Sequence, residues 1–321
     1  MIDKHDLLIH YYCPPGKKNY LGSKDNRKCR FCGKSEGEIT FKKIAHAISE
    51  GIGNKSLLSY YECDDCNGHF STLEDSFIKF IDPYRTLFGI KGKKGHVVKV
   101  KQKGFDKDKN LEYNKLKIEN INGNIRVNIT TPDISINDDK VNKSVSLSMK
   151  TDKYNPVAVL KCLIKMGISI MPEEELQYFT ETIKWTIEKD HSKWLLKSPL
   201  KIYLLRYNLP IGIEVIKYPY VCLYKRVEDI LSVPYMMFQV HFACLGVQVV
   251  VPSICKDSDL GHSSSFTTPL YVEPRLFDYF SGVEVFCINS CEKCSHAPNI
   301  SYGYRDLTRE SLNPNENDKN I

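Results

Sequence analysis

The sequence predicts an α+β protein in which an N-terminal module folds around a four-cysteine zinc site and a mixed domain of antiparallel sheet and helix follows. Two C-x-x-C knuckles, Cys29-Arg-Phe-Cys32 and Cys63-Asp-Asp-Cys66, stand thirty residues apart near the start. Short alternating apolar stretches recur from Val97 to about Met149, helical patterns occupy 155–190, and strands return at 202–251. Paired knuckles are the spacing of a tetrahedral thiolate site. Alternation of period two marks half-buried strands, and an apolar period near 3.6 marks a helix packed on one side.

The bulk numbers set the frame. A chain of 321 residues exceeds the size at which single cores stop growing and fits two domains. With 42% hydrophobic and 26% charged residues it belongs with ordinary globular proteins, which excludes the disordered and fibrous classes. The start, Met1-Ile-Asp-Lys-His-Asp, lacks the charged-then-apolar pattern of a secretory signal, so the expected location is cytoplasmic. No membrane span is expected. The most apolar stretch, Val233 to Ile254, is interrupted by Pro234, Gln239, His241, Gln248 and Pro252, and its Phe238/Val240/Phe242 alternation reads as a buried strand. In a reducing compartment, twelve cysteines point to metal thiolates rather than to a disulfide framework.

Taken in order, residues 1–28 read as a polar lead-in with little structure of its own, and 29–95 as the metal module. The run from Phe70 to Phe80 has helical period, and Gly89-Ile-Lys-Gly92-Lys-Lys-Gly95 makes a basic hinge. Residues 96–310 form an α+β domain of unknown role. Its strands include Val97–Lys101, Leu116–Ile118, Ile125–Ile129 and Val145–Met149, with Asn122-Gly123 as a hairpin signal. Asn155-Pro156 opens one helix, and Pro172-Glu173-Glu174-Glu175 opens a second with acids in its first turn. The Asn/Asp/Lys-rich stretch 311–321 reads as a disordered tail.

Between the knuckles lies Ile44-Ala-His46-Ala-Ile-Ser-Glu-Gly-Ile-Gly-Asn54-Lys, and Asn67-Gly-His69-Phe follows the second knuckle. This order resembles the zinc-ribbed HNH endonucleases: C-x-x-C, a strand ending in Ala-His-Ala-Ile, then Gly-Asn-Lys, then C-x-x-C-Asn and a helix. Phe70-Ser-Thr-Leu-Glu74-Asp75, Asp82-Pro-Tyr-Arg85-Thr and Gly89 to Gly95 extend the resemblance, which covers about residues 29–95. It implies a ββα-metal fold, a β-hairpin plus a helix, holding one divalent ion beside a structural Zn²⁺ on Cys29, Cys32, Cys63 and Cys66. His46 matches the general base, Asn54 the middle Asn that holds the hairpin or orients the imidazole, and Asn67 the third motif position, a ligand of Mg²⁺ or Mn²⁺. His69 is an alternative ligand. Many members carry an acidic ligand just before the catalytic His, whereas this chain has Ala45. Glu74 or Asp75 could replace it, or water and phosphate oxygens could complete the shell.

Plainer readings stand beside these. Asn54 can be a turn asparagine, Asn67 a helix N-cap, and Glu74 and Asp75 a solvated face or partners of Arg85. The run from Arg85 to Lys103 holds seven Lys/Arg and no acid. It can bind phosphates, with Arg85, Lys91, Lys93 and Lys94 as the grip, or simply protect a strand edge. Cys287, Cys291 and Cys294 can form a second zinc site with His296, or remain free thiols. Cys13, Cys162, Cys222, Cys244 and Cys255 read as small buried hydrophobes or incidental thiols.

The expected function is therefore metal-dependent hydrolysis of DNA phosphodiesters, with a role in restriction or defence against foreign DNA implied by the resemblance. A homodimer is expected where both strands are cut. The alternative is a catalytically inactive zinc-ribbon module that binds nucleic acid or protein, which Ala45 favours.

Overall fold

In this computed structural model the described residues are 4–92, 95–106, 110–121, 124–130, 136–193, 202–208, 218–228, 230–262, 269–271, 281–304 and 307. The chain runs through β1 (His5–Tyr12), β2 (Asn19–Leu21), β3 (Ala45–His46), a 3-10 turn (Glu50–Ile52), β4 (Leu57–Ser59) and α1 (Asp64–Leu87). The strands β5 (Val100–Asp106), β6 (Leu111–Ile121), β7 (Asn124–Ile129), β8 (Ile136–Asp139) and β9 (Ser144–Ser148) follow. Next come α2 (Pro156–Ile170), a 3-10 segment (Glu173–Phe179) and α3 (Thr180–Ile187). The last strands are β10 (Tyr203–Asn208), β11 (Tyr220–Arg226), β12 (Met236–Phe242), β13 (Leu245–Val250), β14 (Ser281–Cys287) and β15 (Asn299–Gly303).

This is a mixed α+β architecture with several antiparallel sheets and few helices. The largest sheet has the order β1-β11-β12-β13-β10-β14, and the three smaller ones are β15-β9-β8, β2-β4-β3 and β5-β6-β7. Among the described strands the pairings are antiparallel except for β2 with β4. β6 and β7 pair Ile121 with Asn124, the register that a two-residue Asn122-Gly123 loop imposes; the loop itself lies outside the described residues.

The apolar run around Phe238 is strand, as its alternation predicts. Every residue of β12 and β13 is buried, because both faces of the central sheet are covered. One face meets α2, where Gly167 lies against Phe238 and Val251. The other carries Gln239, Gln248 and His241, whose hydrogen bonds go to Tyr207 and to the main chain at Pro269 and Tyr271. No helix among the described residues is long and apolar enough to cross a membrane.

The N-terminal segment differs from its sequence reading. Residues 5–12 are β1, paired with β11, and 19–21 are β2, paired with β4. A strand whose partner lies over two hundred residues away carries no local signal beyond a short apolar run. The boundary at 95 divides the chain but not the core. Phe31, Phe70, Phe77, Leu163, Phe238 and Val249 belong to one continuous hydrophobic cluster. Helix α2 is buried along its whole length, capped by Asn155, whose Oδ1 accepts from the Ala158 amide at 3.1 Å. The acids at 173–175 open a 3-10 segment rather than an α-helix, which begins only at Thr180. The stretch 311–321 lies outside the described residues.

Candidate functional site

The four cysteines converge: the Sγ atoms of Cys29, Cys32, Cys63 and Cys66 all lie within 4.8 Å of one another, an arrangement that can hold a metal ion. Local backbone makes it so. In the first knuckle Gly33 has φ +73, a left-handed turn, and its amide donates to the Cys29 carbonyl at 2.9 Å. In the second, Cys63 is the N-cap of α1 and its Sγ accepts from the Cys66 amide at 3.5 Å. The Arg30 amide donates to the Tyr61 carbonyl at 2.7 Å and joins the two. Four thiols at one point cannot all ionise without a cation. Hydrogen bonding from Cys66 pulls the Cys29 thiol down to about 5. Burial pushes Cys63 up to about 11, and Cys66 rises still further because it donates to Cys29.

Strand β3 is placed from the same end. The Asp64 carboxylate, in the first turn of α1, accepts from the amides of Lys42 and Lys43, both at 2.9 Å, and ties down the approach to Ala45 and His46. His46 then pairs with Leu58 on β4. Between the strands Asn54 is fully buried. Its Nδ2 donates to the carbonyls of Ile48 (2.7 Å) and Leu57 (2.9 Å), and its Oδ1 accepts from the amides of Ser56 (3.1 Å) and Leu57 (2.9 Å). That amide is saturated by the loop. Asn54 holds the hairpin and does not orient the imidazole.

Helix geometry sorts the residues after Cys66. At about 100° per residue, Asn67, Ile78 and Arg85 fall on one stripe of α1. That stripe faces the hairpin: the Gly51 backbone sits against Ile78, where a Cβ would be 2.2 Å from its Cδ1, and Arg85 Nε donates to the Gly51 carbonyl at 2.7 Å. Asn67 therefore shares the stripe that, further along α1, meets the 3-10 turn at Glu50–Ile52. It is not the N-cap, a position taken by Cys63. His69 is turned about 160° away. It lines a separate pocket of about 490 Å³ with Asp64, Asp65, Gly68, Thr72, Lys189 and His191, and burial lowers its pKa. As an alternative ligand beside His46 it is on the wrong side of the helix.

The expected phosphate grip also changes. Arg85 is buried, with Nη1 at 2.6 Å from Asp82 Oδ1, so it braces the hairpin. Lys99 pairs with Glu119 at 2.6 Å and Lys103 with Glu112 at 2.5 Å, which with the Arg85–Asp82 pair occupies three of the seven cations of the basic run. Lys91 is exposed, and Lys93 and Lys94 lie outside the described residues. Asp75 pairs with Lys79 at 2.6 Å, not with Arg85.

The second cysteine group does not assemble. Cys287, Cys291 and Cys294 are exposed, whereas the His296 ring turns inward, with Nε2 2.7 Å from Arg206 Nη1. Among the described residues the N-terminal four cysteines are the one group of three or more His, Cys, Asp or Glu side chains gathered closely enough for a metal. Of the remaining cysteines, Cys13, Cys162, Cys222 and Cys244 are buried and Cys255 is exposed.

Two site residues escape the sequence reading. Lys165 on α2 donates from Nζ to the His46 carbonyl at 2.9 Å and lies 2.9 Å from Glu62 Oε2, with both side chains buried. Burial opposes the Lys165 charge, but Glu62 and Glu74 outweigh it and its pKa rises. Burial holds Glu62 above the usual carboxylate range despite the lysine. The available signal was a pair of lysines, Lys161 and Lys165, inside an otherwise apolar helix. Arg30 provides the other link, with Nη1 donating to the carbonyls of Ile168 (2.8 Å), Ser169 (3.0 Å) and Met171 (2.9 Å) at the end of α2.

Comparison with models of protein families, with curated proteins and with solved structures gives no match to this chain. The functional reading rests on the residues and their geometry.

Proposed function

We propose that the chain is an HNH-type endonuclease that hydrolyses phosphodiester bonds of DNA and is framed by a structural Zn²⁺. What supports this reading is His46 on β3, paired with β4, and Asn67 directly after Cys66 on the stripe of α1 that also carries Ile78 and Arg85 against Gly51. The four-cysteine cluster lies at the start of both segments, and Lys165 holds the His46 carbonyl from behind. Zinc fits the cluster: Zn–S bonds of about 2.3 Å in a tetrahedron put sulfurs about 3.8 Å apart. The Cys32 and Cys63 sulfurs are 3.8 Å apart.

A phosphodiester is anionic and resists attack, so its hydrolysis needs a base near neutral pH and a cation on the phosphate. The His46 imidazole takes the proton of the attacking water. The Asn67 amide oxygen offers one protein ligand to a divalent ion, and Mg²⁺, which keeps most of its own waters, tolerates so few. Such an ion, when bound, supplies charge stabilisation to the phosphate. Asn54 and Lys165 hold the backbone on either side of His46 fixed.

A second reading is a zinc-ribbon nucleic-acid-binding protein without catalysis. Ala45 favours it, since the position before His46 is apolar and 2% exposed. Supercoiled plasmid incubated with Mg²⁺ or Mn²⁺ separates the two. The nuclease reading expects nicking by the native chain and a loss of at least about a hundredfold in His46→Ala. Equal cutting by both removes His46 from the mechanism. Binding without any cutting favours the second reading.

A further inference from the structure

A second concentration of positive charge, besides the run from Arg85, precedes His46. Residues 14–46 hold nine Lys/Arg against three Asp/Glu, a net +6 equal to that of the whole chain. Not all of it is available. Arg27 is paired with Glu36, and Arg30 is spent on the α2 carbonyls. Lys17, Lys18, Lys24 and Lys28 are exposed, form no ion pair among the described residues, and bracket β2 on both sides.

At the centre of this basic segment stands Tyr20. It is 36% exposed and stacked on Tyr60, with ring centroids 5.0 Å apart and planes 12° from parallel. Its register is informative. Tyr20 pairs with Leu58 and Leu58 pairs with His46, so the three lie in line across β2-β4-β3. Directly paired residues project from the same side of a sheet, which puts Tyr20 and His46 on one face with Leu58, 5% exposed, between them. Two strand spacings make the separation about 10 Å.

We propose that this face is the path of a DNA strand carrying unpaired bases. Phosphates lie on Lys17, Lys18, Lys24 and Lys28, and one unpaired base stacks on Tyr20, so that the chain follows the sheet to His46. Exposed aromatic rings among lysines suit single strands, because every base has a face to stack and every linkage a charge to neutralise. A fully paired duplex hides its base faces and gains only the lysine contacts. A distance of about 10 Å corresponds to about three stacked nucleotides. The strand is therefore cut about three nucleotides from the base held on Tyr20. This assignment of substrate rests on the nuclease reading for the cut, but not for the binding.

The test uses the full chain as His46→Ala, without divalent metal, and fluorescence anisotropy on a fluorescein-labelled hairpin duplex with or without an unpaired tail. Tighter binding of the tailed probe is expected. Tyr20→Ala should weaken the tailed complex about tenfold and leave the blunt one nearly unchanged, while Tyr20→Phe retains the preference. Changing Lys17, Lys18, Lys24 and Lys28 together to Gln should weaken both complexes and lower the slope of log affinity against log salt by about three. These exposed lysines also provide a test if Tyr20→Ala is destabilised. Unchanged affinity in folded tyrosine and lysine variants overturns the proposal, even if the native chain cuts DNA. The expected binding with no cutting by the native chain leaves the surface standing and overturns the nuclease.

Discussion

The Nζ of Lys165 lies 2.9 Å from the carbonyl oxygen of His46, and the same ammonium lies 2.9 Å from the carboxylate of Glu62, the residue preceding the second knuckle. One buried charge from α2 thus ties the strand carrying the proposed base to the start of the cysteine frame. It also explains why 29–95 does not stand apart from the rest of the chain: the support for its central residue comes from beyond it.

Breaking this pair from one side should be costly. Lys165→Met leaves Glu62 buried without its partner and is expected to lose about 3–5 kcal/mol in urea unfolding. Adding Glu62→Leu removes the stranded charge and should recover most of that loss. If the proposed function is correct, the double variant remains poor at plasmid cleavage, because the His46 carbonyl still lacks its donor. Full cutting by the double variant would show that the brace is structural only.

Metal removal should act on the frame first. The proposed Zn²⁺ contributes on the order of 10 kcal/mol to ordering the knuckles. Native mass spectrometry should find one zinc per chain and none in Cys66→Ser. Chelation should abolish hydrogen-exchange protection at the amides of Arg30, Gly33 and Cys66, which now donate to Tyr61, Cys29 and Cys63. Protection that survives chelation would mean the cysteines close without metal.

Asn54 offers a sharper comparison. Asn54→Ala removes the partner of the Ile48 carbonyl and of the Ser56 and Leu57 amides, leaves the Leu57 carbonyl only the Ala47 amide at 3.2 Å, and is expected to cost about 3 kcal/mol. Asn54→Asp keeps the acceptor but sets a second oxygen against the carbonyls of Ile48 and Leu57, so it should be the worse of the two. Thermal melting of both variants decides it. A milder effect for Asp would mean that the loop rearranges around the carboxylate.

The protein should lose stability in mild acid. Burial lowers His241 from 6.5 to about 4, so the folded state resists a proton that the unfolded chain accepts. Its contribution is complete above the unfolded value and disappears as pH falls from 6.5 towards 4, on the order of 3 kcal/mol in total. His296, lowered to about 3 by burial and by Arg206, acts in the same direction. Asp257, raised to about 6 by burial, opposes them. The variant comparison isolates one group: His241→Gln should show a smaller fall in Tm between about pH 7.5 and about pH 5 than the native chain. An unchanged fall would assign the acid sensitivity to other groups.

Elements whose signals are local were legible from the residues alone. The knuckle spacing marked the four cysteines, Asn155-Pro156 the start of α2, Asn122-Gly123 the hairpin between β6 and β7, and the alternation around Phe238 a buried strand. Each depends on covalent geometry or short-range periodicity, which a few neighbouring residues specify. The tertiary structure alone decided which polar residues share a site. It set Asn67 on the stripe of α1 shared with Ile78 and Arg85 and His69 on the opposite side in a separate pocket, turned Arg85 from a phosphate grip into a brace, and brought Lys165 across 119 positions to His46. It also drew residues 5–12 into a sheet with 220–226. Side-chain direction around a helix, and pairing between segments far apart in sequence, are fixed by the packing of the whole core.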